Sequence, residues 1–228
     1  QLMVDPHLPL IDLHRHLDGS IRLETILDLS AKHDIPLPAD TLEGLRPYVQ
    51  ITEPRPGVMA FIAKFKWMIA VLVDQDACYR VAYENVLDAR DEGIDYLELR
   101  FSPWFMSQSH EITPQAVIEA VVDGTRAGVE AAGIEVKLIG ILSRTYGPET
   151  AQRELEALLA YRDRFAAIDL AGDEANYPGR LFIEHMGTAR DAGWRVARRF
   201  AHKHARRELS GVARDRRRER DGAGRDAL

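Results

Sequence analysis

The segment LPLIDLHRHLDG, residues 8–19, places two histidines directly after a short apolar run of extended character. We predict a buried strand over residues 9–14 and a following helix that is capped by Ser20. Side chains two positions apart leave the same face of a strand, so His14 and His16 would project side by side. Two neutral imidazoles in this arrangement can share one metal ion, and zinc suits them. The alternative is a chance pair of exposed or hydrogen-bonded histidines.

Outward from this segment, apolar runs alternate with amphipathic helical patterns. Asp74 or Asp76 can cap one helix, and Thr113 followed by proline begins another. Gly93 and Gly133 mark helix ends. Further strands are predicted at residues 94–101, 134–142 and 165–171, with a fifth beginning at 193–196.

This alternation predicts an α/β fold with parallel strands joined by right-handed helical crossovers. About four and a half βα units amount to the N-terminal half of a TIM-type (β/α)8 barrel, which we assign to residues 1–196. Polar clusters follow the predicted strands at residues 14–18, 102–103, 143–144 and 172–174. Catalytic residues of such barrels lie at these carboxyl ends.

A proline- and glycine-rich excursion over residues 35–57 separates the first strand from the next helices. It is either a cover over a pocket or a surface connection. Residues 58–73 carry apolar side chains at helical spacing, which indicates core or lid packing rather than a cofactor site.

Four motifs, in this order, resemble those of the adenosine deaminase family of zinc hydrolases. They are HRHLDG at 14–19, YLELRFSP at 96–103, KLIGILSR at 137–144 and DLAGDE at 169–174. The resemblance spans about residues 5–196. It implies zinc-dependent hydrolytic deamination of adenosine and deoxyadenosine to inosine and ammonia, in purine nucleoside salvage.

The resemblance also implies roles for individual residues. His14 and His16 would be the first two zinc ligands, and His16 and Asp18 would touch the nucleoside, with Asp18 on the ribose side. Gly172 would let the backbone approach the purine ring, which a side chain would block. Asp18 and Gly172 could instead be turn residues, and Asp173 and Glu174 solvated loop acids, a reading we favour for Glu174. His7, His33, His110 and His185 are expected at surface or satisfied core positions.

Beyond residue 196 the family pattern stops. The family continues with His-Ala-Gly-Glu, His-Gly and Asp-Asp motifs, which supply the remaining metal ligands, the proton-donating glutamate and an orienting histidine. None of them occurs here, so the catalytic residues cannot be assigned. We expect a truncated chain that is weakly active or inactive, with exposed sheet edges that favour self-association.

Residues 197–228 carry 11 Lys and Arg against 5 Asp and Glu, whereas residues 1–196 have a net charge of −12. With few large apolar residues, this basic tail is expected to be disordered. We interpret it as a frame-shifted or misplaced terminus. A nucleic-acid arm is disfavoured because residues 205–228 lack aromatic side chains for stacking.

Cys78 is the single cysteine, which excludes a disulfide within the chain and a thiolate zinc cluster. Neither a membrane span nor a signal peptide is indicated, so the expected compartment is the cytoplasm. Two other functions stay open. One is a non-catalytic metal- or nucleoside-binding fragment that needs a partner half. The other is an amidohydrolase-type barrel that uses the two histidines for a different amine or amide, against which the LDG segment at 17–19 and Gly172 argue. An adenine deaminase-like activity, on adenine without ribose, stays open.

Overall fold

The computed structural model describes residues 8–51 and 63–196. Five parallel strands form one sheet in which spatial order follows chain order: β1 (Ile11–His16), β2 (Tyr96–Phe101), β3 (Glu135–Ser143), β4 (Phe165–Ala171) and β5 (Arg195–Val196). Sequential order of parallel neighbours is the arrangement of a singly wound barrel. The α/β partial barrel expected from the sequence is confirmed. The basic tail at 197–228 lies outside the described residues.

Helices connect the consecutive strands. They are α1 (Leu23–His33), α2 (Leu42–Val49), α3 (Phe65–Ile69), α4 (Gln75–Asp91), α5 (Pro103–Ser107), α6 (Pro114–Ala132), α7 (Gly147–Leu159) and α8 (Ile183–Asp191). Short 3-10 turns lie at Arg144–Tyr146, Arg162–Arg164 and Gly179–Phe182. In the described part of the chain, no helix is both long enough and apolar enough to cross a membrane.

Several helix ends follow the predicted chemistry. Asp74 caps α4 by accepting a hydrogen bond from the amide of Ala77 at 2.8 Å, and Thr113 caps α6 before Pro114. Gly133 ends α6 in the left-handed conformation. The predicted Ser20 cap is wrong, because α1 begins at Leu23 and Arg22 occupies the capping position without a side-chain cap. The Ser20 amide instead closes a turn onto the Leu17 carbonyl.

The main core lies between the sheet and helices α4, α6, α7 and α8. Strand β2 contributes Leu97, Leu99 and Phe101, all fully buried. A second apolar cluster joins α1, α2 and α3 around Ile26 and Leu45. Within the apolar stretch at 58–73, helix α3 covers Phe65–Ile69, and residues 58–62 lie outside the described residues.

Strand β1 differs from the prediction of a buried strand. Its apolar side chains Ile11 and Leu13 are 58% and 56% exposed, and Leu8 and Leu10 before them are exposed too. The reason is topological: β1 pairs with β2 and forms one edge of the sheet in residues 8–51 and 63–196. An apolar run indicates that a strand is suited to burial. It does not show that another element of the chain packs against it.

Candidate active site

Two imidazoles meet where β1 ends. The ring centroids of His14 and His16 are 5.2 Å apart with a tilt of 48°, and both rings line one cavity of about 510 Å³. The strand bulges between Asp12 and Arg15 and then resumes pairing, with His16 opposite Arg100. Past the strand, the Leu17 amide donates to the Arg100 carbonyl at 2.9 Å and the Leu17 side chain is fully buried. This hydrogen bond and the buried Leu17 side chain hold the histidine segment in an extended conformation, which the prediction of side-by-side histidines requires.

The environment of His14 favours its neutral form. Burial lowers the pKa of His14, and the positive charge of Arg100 and the neighbouring His16 lower it further. The carboxylates of Asp169 and Asp12 act in the opposite direction. A neutral imidazole is the form that donates a lone pair to a metal ion.

Asp18 lines the same cavity. Its side chain is buried, and Oδ1 lies 3.6 Å from His16 Nδ1. That oxygen is buried and has no hydrogen-bond partner among residues 8–51 and 63–196. A buried carboxylate oxygen without a donor is costly, so a donor from a bound molecule would stabilise it.

Gly172, at the end of β4, has a backbone conformation that requires glycine. Its φ is +114°, and a Cβ there would collide with Oγ1 of Thr145. The same Oγ1 accepts a hydrogen bond from the Asp173 amide at 3.0 Å. The loop after β3 and the loop after β4 therefore meet at a point where no side chain fits.

The two acids after Gly172 differ. Asp173 turns back onto Asn176, whose hydrogen bonds lower the pKa of this carboxyl, and it closes a turn instead of facing the cavity. The side chain of Glu174 is 70% exposed and lies 3.6 Å from Arg144. Glu174 is largely exposed to solvent, as we favoured, and it also lines the cavity, whereas Asp173 is buried.

The other described histidines lie away from the cavity. His110 Nε2 contacts the Ala70 carbonyl at 2.6 Å, and His185 Nε2 contacts the Pro148 carbonyl at 2.9 Å. His33 lies 3.8 Å from Asp74. These contacts fit packing roles, but His33 Nε2 and His185 Nδ1 are buried without a hydrogen-bond partner among the described residues, so these two rings are only partly satisfied. His7 lies outside the described residues.

Sequence reasoning missed three charged residues around the cavity. Arg100 and Asp169 form an ion pair between β2 and β4, and Asp169 lines the cavity. Glu154 on α7 is fully buried behind the ends of β2 and β3. The burial of Glu154 could have been predicted from the sequence, because this residue falls on the apolar face of α7 with Ala151, Leu155 and Leu158 at helical spacing.

The donor set fits zinc in part. His14 and His16 supply two imidazoles on one side of the cavity, and neutral imidazole is a zinc ligand. Over residues 8–51 and 63–196, no group of three or more His, Cys, Asp or Glu side chains is placed to hold a metal ion. The described residues therefore offer two imidazole donors at this place, fewer than the four ligands of a tetrahedral zinc site.

The sheet and the cavity define a partial (β/α) barrel whose candidate site lies at the carboxyl ends of the strands. The adenine deaminase structure from Arthrobacter aurescens superposes with a TM-score of 0.74 at 23% identity, covering 82% of this chain and 56% of that one. An amidohydrolase from Burkhoderia ambifaria with bound Zn gives a TM-score of 0.71 at 26% identity, covering 84% and 51%.

Sequence comparison gives the family. The adenosine deaminase family model matches residues 9–207. The adenosine deaminase of Proteus mirabilis is 54% identical over 194 residues, which cover 85% of this chain and 58% of that relative. The chain belongs to the adenosine deaminase family, and it spans about 58% of the length of the curated relatives it matches.

Proposed function

We propose that this chain carries the zinc- and nucleoside-binding half of a hydrolase that converts adenosine and deoxyadenosine to inosine and ammonia in purine nucleoside salvage. The observation that carries the proposal is the pair of imidazoles, 5.2 Å apart, in a cavity at the carboxyl ends of a parallel sheet. Membership of the adenosine deaminase family and the zinc bound by the amidohydrolase relative support it.

In this proposal His14 and His16 hold the zinc ion. When bound, zinc supplies a water-derived nucleophile near neutral pH. His16 also touches the nucleoside, and the unpartnered oxygen of Asp18 accepts a hydrogen bond from a ribose hydroxyl. Gly172 lines the cavity and would let the backbone approach the purine ring. The Asp18 contact favours a nucleoside over free adenine, because the free base has no ribose.

The proton-donating glutamate and the orienting histidine of the family have no counterpart in this sequence. With two imidazoles as donors in the described residues, we expect weak zinc affinity and little or no deaminase activity. The same observation favours a second candidate function. The chain would then be a non-catalytic metal- and nucleoside-binding piece that a separate C-terminal half completes.

Two further expectations belong to this proposal. The exposed apolar side chains of β1, Ile11 and Leu13 among them, would favour self-association through the open sheet edge. Cys78 is a buried free thiol, and burial raises its pKa to about 12. A protected single thiol is compatible with the reducing cytoplasm that we propose as its compartment.

Titration of the purified chain with zinc and then with inosine tests the proposal. We expect zinc binding that is lost in His14→Ala and His16→Ala and retained in His33→Ala, whose histidine lies outside the cavity. Inosine should bind the unaltered chain and bind less tightly to Asp18→Ala. Zinc binding that survives both cavity substitutions would overturn the metal assignment. Adenosine turnover at an ordinary enzymatic rate would contradict the expected low activity.

A further inference from the structure

Glu154 is a carboxylate on a helix face that is otherwise apolar. It lies on α7 between Ala151 and Leu158, and no part of its surface reaches solvent. Burying a carboxylate costs free energy unless hydrogen bonds compensate for the lost water. A leucine at this position would fill the space at lower cost, so the contacts of the carboxylate need a separate explanation.

The carboxylate joins the ends of two neighbouring strands. Its Oε1 accepts hydrogen bonds from the Ser102 hydroxyl at 2.6 Å and from the Trp104 amide at 3.0 Å. Its Oε2 accepts from the Ser143 amide at 2.7 Å. Ser102 follows β2, and Ser143 is the last residue of β3. One side chain on α7 therefore fixes both strand ends.

Both strand ends form part of the cavity wall. Ser102 and Ser143 line the cavity together with His14 and His16. Ser102 also caps α5 by accepting from the Phe105 amide at 3.0 Å, and the Phe105 ring lines the cavity as well. A shift of Glu154 would pass through Ser102 to the start of α5 and through Ser143 to the turn at Arg144–Tyr146.

We propose that Glu154 is a positioning residue, which holds the wall formed by Ser102, Phe105 and Ser143 in the geometry that binds the nucleoside. The inference rests on the proposed function, because it concerns the affinity of that cavity for its ligand. Glu154 touches neither the imidazoles nor the open cavity, so it acts through the two serines.

Amide hydrogen exchange tests, without any ligand, whether Glu154 holds the ends of β2 and β3. In the unaltered chain the amides of Trp104 and Ser143 should be protected, because both donate to Glu154. Glu154→Leu replaces the carboxylate by an apolar side chain and removes both acceptors, so these two amides should exchange at least about tenfold faster. Leu158→Ala removes buried apolar volume from the same helix and serves as the control for general destabilisation.

Inosine affinity at pH 8 then tests the functional consequence. We expect Glu154→Leu and Glu154→Gln to weaken inosine binding by about tenfold or more, the effect of losing hydrogen bonds to a charged group. Leu158→Ala should retain the affinity despite its lower stability. Glu156→Gln, the same substitution at an exposed position of α7, should change neither exchange nor affinity.

The outcomes separate this inference from the proposed function. Faster exchange with weaker binding, absent in Leu158→Ala, supports the positioning role. Faster exchange with unchanged inosine affinity would show that Glu154 stabilises the strand ends without affecting binding. Unchanged exchange would show that Glu154 does not hold the two strand ends. If the unaltered chain binds no inosine, the proposed function fails and the affinity role falls with it, while the exchange data still report whether Glu154 holds the two strand ends.

Discussion

The guanidinium of Arg100 on β2 donates a hydrogen bond to the carboxylate of Asp169 on β4, with 2.7 Å between Nη1 and Oδ2. Through Nη2 it also donates to the carbonyl of Leu13 at 2.8 Å, one residue before His14. The side chains are 5% and 17% exposed. A single cation therefore links three strands next to the paired imidazoles.

Replacing Arg100 by Met should destabilise the chain by about 3 kcal/mol, because Asp169 would be left largely buried without its partner. Adding Asp169→Asn should recover part of that loss, since the orphaned charge is removed. Urea unfolding measures both variants. The control Arg153→Met breaks an exposed pair with Glu149 and should cost less than about 1 kcal/mol. Equal losses of unfolding free energy in Arg100→Met and Arg153→Met would refute a stabilising role for the Arg100–Asp169 pair.

Glu154 should make stability depend on pH. Burial raises the pKa of this carboxyl from 4.5 to about 7, against the three hydrogen bonds and with a smaller contribution from Asp18. A carboxyl with a raised folded pKa binds more protons in the folded state, so its contribution to stability is present below about pH 4.5. It is lost as pH rises through about 7, a fall of roughly 3 kcal/mol.

Urea unfolding between pH 5 and pH 8 measures that slope. Glu154→Gln cannot ionise and should flatten the curve over this interval. Glu156→Gln, at an exposed position on the same helix, should keep it. The pKa assignment is wrong if the two variants show the same slope as the unaltered chain.

Gly172→Ala should lower both stability and inosine affinity. The alanine would adopt a φ of +114° and meet Oγ1 of Thr145, at a total cost of about 2 kcal/mol or more. Thr145→Ala in the same chain should relieve the collision and leave the backbone strain. Gly133→Ala is the control for an alanine at positive φ, because its φ is +73° and no atom of the described residues lies within 4 Å of its Cβ position. Thermal unfolding that is equal for Gly172→Ala and Gly133→Ala would show that the collision is absent.

Only one of the two aspartates near the start of α4 caps the helix. Asp74→Ala removes the acceptor for the Ala77 amide and should cost about 1 kcal/mol in the free energy of unfolding. Asp76→Ala, in the first turn, removes only a favourable charge near the helix N-terminus and should cost about 0.5 kcal/mol. Urea unfolding of the two single variants decides the assignment, and a larger loss at Asp76 would contradict it.

The sequence by itself determined the alternation of strands and helices, the Thr113 cap and the side-by-side histidines, because each depends on neighbours within a few positions along the chain. It left Asp74 and Asp76 equivalent, and it misplaced the cap of α1 at Ser20. Only the tertiary structure decided that β1 lies exposed at a sheet edge, that Arg100 pairs with Asp169 and that Glu154 joins two strand ends. The Arg100–Asp169 pair and the Ser102–Glu154 bond connect residues 69 and 52 positions apart, and the exposure of β1 depends on which element covers the strand. Local periodicity carries no information about either.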